Sequence, residues 1–191
     1  MRVMATAGLV GFPNAGKSTF LRAISRARPK VASYPFTTLN PHVGMVKYDD
    51  FQQLAVADIP GLVEGAHRNI GLGFNFLKHI TRCSCILYFI DYTLKDYCMQ
   101  LESLKREMDL YSSALSTKLD CALVVNKIDL VKDEAEIDVI RSMFPDQRVF
   151  FVSAREKIGL EEVLVYLREQ YDKSVHELQR ISAEQELNSL L

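Results

Sequence analysis

No run in this sequence reaches the about 18 consecutive apolar residues of a helical membrane span. Excess charge of either sign is also missing. Lys and Arg number 23 against 24 Asp and Glu, a formal net charge of -1, so no strong overall field draws the chain to a phosphate backbone. A nucleic-acid partner therefore needs a local patch or another domain. The four cysteines, Cys83, Cys85, Cys98 and Cys121, include one C-x-C pair but no C-x-x-C, and no histidine stands at finger-like spacing, which argues against zinc. Their apolar neighbours, as in CSCILYFID and CALVVNK, predict reduced thiols packed in a core rather than a disulfide framework. Internal repeats and low-complexity linkers are absent, so a chain of 191 residues, 48% hydrophobic, is expected to form one globular domain, residues 1–191. The N-terminus enters its first apolar run almost at once, so a signal or transit peptide is not expected within these residues. The chain is expected to be either naturally short or an excised domain.

What is present is a regular succession of apolar runs and amphipathic stretches. Residues 7–12, 43–48, 53–59, 85–91, 121–127 and 148–154 read as strands, several hydrophobic without alternation, as parallel strands covered on both faces require. Helical patterns occupy residues 17–27, 73–82, 98–115, 133–143 and 159–180. The short DDFQ link between the second and third strands predicts an antiparallel pair. The expected fold is α/β: a doubly wound, mostly parallel six-stranded sheet with one antiparallel edge strand and helices on both faces. Ligands of such sheets sit at the carboxyl ends of the strands. In the last helix Leu160, Leu164, Leu167, Tyr171, Val175, Leu178 and Ile181 keep one apolar face to about residue 181, beyond what covering the sheet needs. Residues 176–191 are read as a helical extension or tail, which either packs on its own sheet and frays or docks a further domain or partner.

GFPNAGKS, Gly11 to Ser18, fits G-x-x-x-x-G-K-[ST], follows an apolar strand and precedes a helix, the setting of a P-loop NTPase. Its glycines let successive backbone N–H groups turn inward around phosphates, and the helix N-terminus adds partial positive charge. Lys17 is expected to bridge the β- and γ-phosphates and Ser18 to ligate Mg²⁺. Mg²⁺ keeps several waters, so few protein ligands are needed. YPFTTLNP offers Thr37 and Thr38 in a segment kept extended by Pro35 and Pro41; similarity to nucleotide switches selects Thr38, with Thr37 the alternative. DIPG closes the third strand, placing Asp58 for a metal-bound water and the Gly61 N–H for the γ-phosphate. Loss of that phosphate would release both segments.

NKID, Asn126 to Asp129, closes the fifth strand, and Ser153 with Ala154 closes the sixth. The Asp129 carboxylate can accept from guanine N1–H and the 2-amino group, a donor pair that adenine lacks. Asn126 can bond the purine and tie the loops, the Lys127 stem can cover the ring, and the Ala154 N–H suits guanine O6. The expected nucleotide-contacting set is Gly11, Phe12, Pro13, Asn14, Ala15, Gly16, Lys17, Ser18, Thr19, Phe36, Thr37, Thr38, Asp58, Ile59, Pro60, Gly61, Asn126, Lys127, Asp129, Ser153 and Ala154, with Asn14, Lys17, Thr38 and Gly61 nearest the chemistry.

These elements, in this order, resemble a translation-factor-type GTPase domain. AGLVGFPNAGKST, YPFTTLNPHVGMV, VADIPGLVEGA and GLGFNFLKHITRC closely resemble the Obg family over about the first 90 residues, and NKID with SA extends the likeness. The DRG branch looks less like GLGFNFLKHI, and the YchF-type branch departs from NKID. RPKVASYPFTTLNPHVG with GAHRNIGLG looks most like the mitochondrial Obg branch. The resemblance implies GTP and GDP as ligands, a role in large ribosomal subunit maturation, and a mitochondrial or otherwise cytoplasmic setting. It also implies a glycine-rich N-terminal domain, missing from this sequence, as the part that probes rRNA. A monomer is expected.

Ras-like enzymes place a glutamine after D-x-x-G to orient the attacking water. Here Leu62 stands there and can neither donate nor accept. The Thr38 backbone, Glu64, His67, a monovalent cation such as K⁺ and a ribosomal group are the candidate replacements, and slow intrinsic hydrolysis is expected. Several GTPases with asparagine at the Asn14 position use its oxygen to help hold K⁺, which is the reason for naming Asn14. The rival reading is a nucleotide-gated binding module whose output is occupancy rather than hydrolysis.

Overall fold

The computed structural model describes residues 5–26, 28–31, 41–59, 83–111 and 119–189. The described strands are β1 (Ala5–Gly11), β2 (Lys30–Val31), β3 (His42–Lys47), β4 (Gln53–Asp58), β5 (Cys83–Asp91), β6 (Asp120–Asn126) and β7 (Arg148–Val152). The described helices are α1 (Lys17–Ile24), α2 (Tyr97–Tyr111), α3 (Ala135–Ser142) and α4 (Leu160–Ser189). Short 3-10 turns at Tyr92–Leu94 and Ile128–Leu130 follow β5 and β6. The expected helix over residues 73–82 lies outside the described residues.

One sheet runs in the order β2-β3-β4-β1-β5-β6-β7. β4, β1, β5, β6 and β7 pair in parallel, whereas β3 pairs antiparallel with β4 and β2 with β3. Among the described residues the sheet therefore has seven strands rather than six: β2 extends the expected antiparallel edge, so that the reversed strand β3 lies one place in. Lys30 and Val31 pair with Val43 and His42 over two exposed residues, too short a stretch to leave a hydrophobic period in the sequence.

Apolar side chains alternate between the two faces of the central strands. Ile86, Tyr88 and Ile90 of β5, with Leu123 and Val125 of β6, face Tyr97, Leu101, Leu104 and Met108 of α2 and Ile140 of α3. Leu87 and Phe89, with Val124, face Phe20, Leu21 and Ile24 of α1 and Val163, Tyr166 and Leu167 of α4. Burial on both sides is why these strands read as unbroken apolar runs. The Phe20 and Phe89 rings meet edge to face at 5.0 Å, an arrangement worth about 0.5–1.5 kcal/mol beyond its buried area, and fix α1 directly behind the phosphate loop.

The β3–β4 turn is seated on α4: the Tyr48 hydroxyl donates to the Leu164 carbonyl at 2.7 Å, and Arg168 bridges Asp50 at 2.6 Å and Asp172 at 3.0 Å. This contact orients β4, whose far end carries Asp58. α1 stops at Ile24 rather than residue 27 because Ser25 is extended. α4 continues to Ser189 because the segment after residue 180 contains neither Gly nor Pro and is rich in helix formers. Its apolar face leaves the body of the domain as it goes: Leu167 is buried, while Leu178 and Ile181 are exposed. Cys83 and Cys85 are buried and Cys121 half-buried, but Cys98 is exposed on α2, where helical phase rather than local apolarity sets its direction.

Candidate functional site

The carboxyl ends of β1, β4, β5, β6 and β7 lie along one edge, and the expected motifs gather there. After β1 the chain turns through Asn14, at φ 65, and Gly16, at φ 97, before entering α1. Left-handed residues so close together turn consecutive N–H groups toward one side. At Gly16 the backbone is suited to glycine, and a Cβ there would also collide with the Asn126 amide. A Cβ on Gly11 would lie 2.6 Å from the Phe89 carbonyl of β5. The N-terminus of α1 has neither a side-chain cap nor an acidic residue in its first turn. Its leading N–H groups and partial positive charge are therefore open to an external anion.

Lys17 lies back across the loop, its ammonium donating to the Gly11 carbonyl at 2.7 Å and the Phe12 carbonyl at 3.0 Å. Burial pushes the Lys17 pKa below its ordinary value, with the Asp58 charge acting in the opposite sense. A phosphate beside it would favour the charged form. Ser18 donates from Oγ to Asp58 Oδ2 at 2.5 Å, joining two residues 40 positions apart. Ile59 N–H donates to the Leu9 carbonyl at 3.3 Å, which keeps the end of β4 beside β1. A hydroxyl and a nearly buried carboxylate side by side are hard oxygen donors of the kind Mg²⁺ takes. Pro13 and Asn14 are exposed at the loop tip, Ala15 is buried, and Phe12 and Thr19 are half-buried at its flanks.

Asn126 joins the phosphate side to the base side. Its amide donates to the Ala15 carbonyl at 2.8 Å, and its Oδ1 accepts from the Ala154 N–H at 3.0 Å, with only 2% of the residue exposed. The N–H expected to meet guanine O6 thus already has an acceptor that an entering base would share or displace. Ser153 donates to Asp129 Oδ1 at 2.6 Å and itself accepts from the Glu156 N–H at 3.1 Å, so the exposed Asp129 is oriented from below.

Sequence reasoning missed Asp91, the last residue of β5. It lies opposite Asn126 in the sheet register, and its carboxylate takes an ion pair from Lys127. An acidic residue closing an apolar strand at the motif-bearing edge was the available signal. Phe36, Thr37, Thr38, Pro60, Gly61, Leu62, Glu64 and His67 lie outside the described residues.

Comparison with known proteins places the chain in a family. The family described as 50S ribosome-binding GTPase matches residues 6–127. The chain is 49% identical over 172 residues to mitochondrial ribosome-associated GTPase 2 of Homo sapiens, covering 90% of this chain and 42% of that protein. It is 46% identical over 166 residues to GTPase Obg of Akkermansia muciniphila, covering 85% and 47% respectively. The chain thus spans about half the length of the curated relatives it matches. Among solved structures, Aquifex aeolicus Era bound to GDP and AlF4⁻ shares the fold, with a TM-score of 0.65 and 22% identity over 88% of this chain and 57% of that one. With a family match over most of its length and relatives near half identical, the chain belongs to the Obg family of 50S ribosome-binding GTPases.

Proposed function

We propose that this chain binds GTP at the motif-bearing edge and hydrolyses it slowly, as a molecular switch in large ribosomal subunit assembly, in mitochondria. The observation that carries the reading is the Asn126 side chain, which ties the phosphate loop at Ala15 to the base loop at Ala154 and so holds the two half-sites at one span. In this reading Lys17 turns from the loop carbonyls to the β- and γ-phosphates, and Asp129 selects guanine through its carboxylate. Ser18, Thr38 and, through water, Asp58 would hold Mg²⁺, whose chemistry is to neutralise phosphate charge as it develops. The Gly61 N–H meets the γ-phosphate, and its loss on hydrolysis releases the segments around Thr38 and Gly61.

Leu62 cannot orient water, so the intrinsic rate is low and polarity comes from the Thr38 backbone, Glu64, His67, K⁺ held with the help of Asn14, or the ribosome. The ribosomal and mitochondrial parts of the reading are supported by the name of mitochondrial ribosome-associated GTPase 2 and by the likeness of RPKVASYPFTTLNPHVG to the mitochondrial branch. The near-neutral charge is consistent with a timer whose rRNA contacts are made mainly by a glycine-rich N-terminal domain. Single-turnover GTP hydrolysis, measured with and without large mitochondrial ribosomal subunits, is the test. Acceleration by the subunit is the expected result. An unchanged rate would overturn the hydrolytic switch and leave a module that signals by nucleotide occupancy.

A further inference from the structure

Asp91 is 6% exposed, and its hydrogen-bond partners favour a charged carboxylate there. Its Oδ1 accepts from the Thr93 N–H at 2.9 Å and the Thr93 hydroxyl at 2.7 Å, and its Oδ2 meets the Lys127 ammonium. Its backbone is gripped on both sides by one amide of α2: the Asp91 N–H donates to Gln100 Oε1 at 2.8 Å, and Gln100 Nε2 donates to the Asp91 carbonyl at 3.0 Å. Burial alone would raise the Asp91 pKa, but the hydrogen bonds from Lys127 and Thr93 take it below the ordinary carboxylate value. Lys127 departs from β6 at φ 72, a left-handed conformation unusual for a residue with a side chain, as the chain enters the 3-10 turn. Its head is tied to a carboxylate whose side chain is 9% exposed, while 32% of its own side chain stays open.

We propose that Asp91 is a positioning residue for nucleotide binding: it anchors the Lys127 ammonium so that the lysine stem stands ready as one wall of the base slot. The inference rests on reading residues 126–129 and 153–154 as that slot. Two anchors then divide the work. Ser153 orients Asp129, which reads the base edge, and Asp91 orients Lys127, which covers the base face. A free lysine carries much rotamer freedom, and ordering it at the moment of binding costs up to about tenfold in affinity. Asp91 has removed that cost in advance.

The test is the Kd for GDP and GTP in wild type, D91N, D91E, K127M and the D91N/K127M double variant, with nucleotide-free melting as the folding control. D91N keeps an acceptor for Thr93 but presents no charge to Lys127. D91N and K127M are each expected to weaken GDP and GTP alike by about tenfold, and the double variant no more than either single one. D91E should recover most of the loss. Preference for GDP over inosine diphosphate should be unchanged, because the 2-amino group is read by Asp129; a general collapse of the loop would erode that preference. Wild-type affinity in D91N and K127M, or losses that add in the double variant, would overturn the proposal. Should D91N fail to fold, K127M decides alone: binding GDP as tightly as wild type sinks the anchor. If D129N fails to shift preference toward xanthine nucleotides, the base-site reading fails instead, so the two failures are distinct.

Discussion

Asn126→Ala should uncouple the two halves of the nucleotide site. The wild-type residue is 2% exposed, and its side chain makes two bonds, 2.8 Å to the Ala15 carbonyl and 3.0 Å from the Ala154 N–H. Truncation removes two hydrogen bonds worth about 1 kcal/mol each and strands two partners whose burial unpaired costs about 1–3 kcal/mol apiece before water or relaxation recovers part of it. The expected net loss is about 2–4 kcal/mol, a large share of the about 5–15 kcal/mol that holds a domain together. At about 2–4 °C per kcal/mol for a chain of this size, the nucleotide-free melting point should fall by roughly 5–15 °C. GDP affinity should fall by more than about tenfold, because the phosphate and base loops no longer hold one span. Urea unfolding of the nucleotide-free protein and calorimetric titration with GDP measure both effects. A second consequence is specific to this geometry. The Asn126 amide occupies the space that a Cβ on Gly16 would need. In the Asn126→Ala background, Gly16→Ala should therefore cost only the left-handed strain, about 1–2 kcal/mol. An unchanged urea midpoint in Asn126→Ala, or lost stability with wild-type GDP affinity, would refute the reasoning.

Asp129→Asn should move preference from GTP toward XTP, since an amide suits the 2-carbonyl of xanthine; competition binding that keeps the wild-type margin for GTP would remove Asp129 from the base edge. Lys17→Ala should weaken GTP and GDP together, whereas Ser18→Ala, which breaks the 2.5 Å contact with Asp58, should raise the magnesium requirement; a magnesium titration of both variants separates them, and an unaltered requirement in Ser18→Ala would take it out of the metal shell. Hydrolysis should be faster in KCl than in NaCl at equal ionic strength, with Asn14→Ala erasing the difference, and equal rates for wild type would eliminate the cation. Burial pushes Cys83 from 9.0 up to about 12 and raises Cys85 well above 9.0. Above the unfolded thiol value the unfolded chain binds fewer protons than the folded one, so stability should fall as pH rises past 9.0, by about 1.4 kcal/mol per pH unit for each buried thiol. Urea unfolding at pH 8 and pH 10 checks this, and a Cys83→Ala, Cys85→Ala variant that loses as much as wild type would refute the assignment to these thiols.

The features legible in the sequence are those whose physics is short-ranged. Gly11 to Ser18 is one contiguous turn into a helix, so spacing alone implies a cradle of N–H groups, and the structure supplies the left-handed Asn14 and Gly16 and the uncapped helix that such a cradle needs. The apolar runs declare a sheet covered on both faces because each strand must bury both of its sides. The two-residue β2 is too brief for any period to record it. Asp91 was missed for a different reason: a carboxylate closing an apolar strand marks a place at the motif-bearing edge but names no partner, and only the parallel register of β5 with β6 sets it against a lysine 36 residues away. The same holds for the β3–β4 turn on α4, where Tyr48 and Leu164 stand 116 residues apart, and for the outward phase of Cys98. Local backbone geometry is written in neighbouring residues, whereas the partner of a buried charge is chosen by sheet register and helix packing, which exist only once the whole chain has closed on its core.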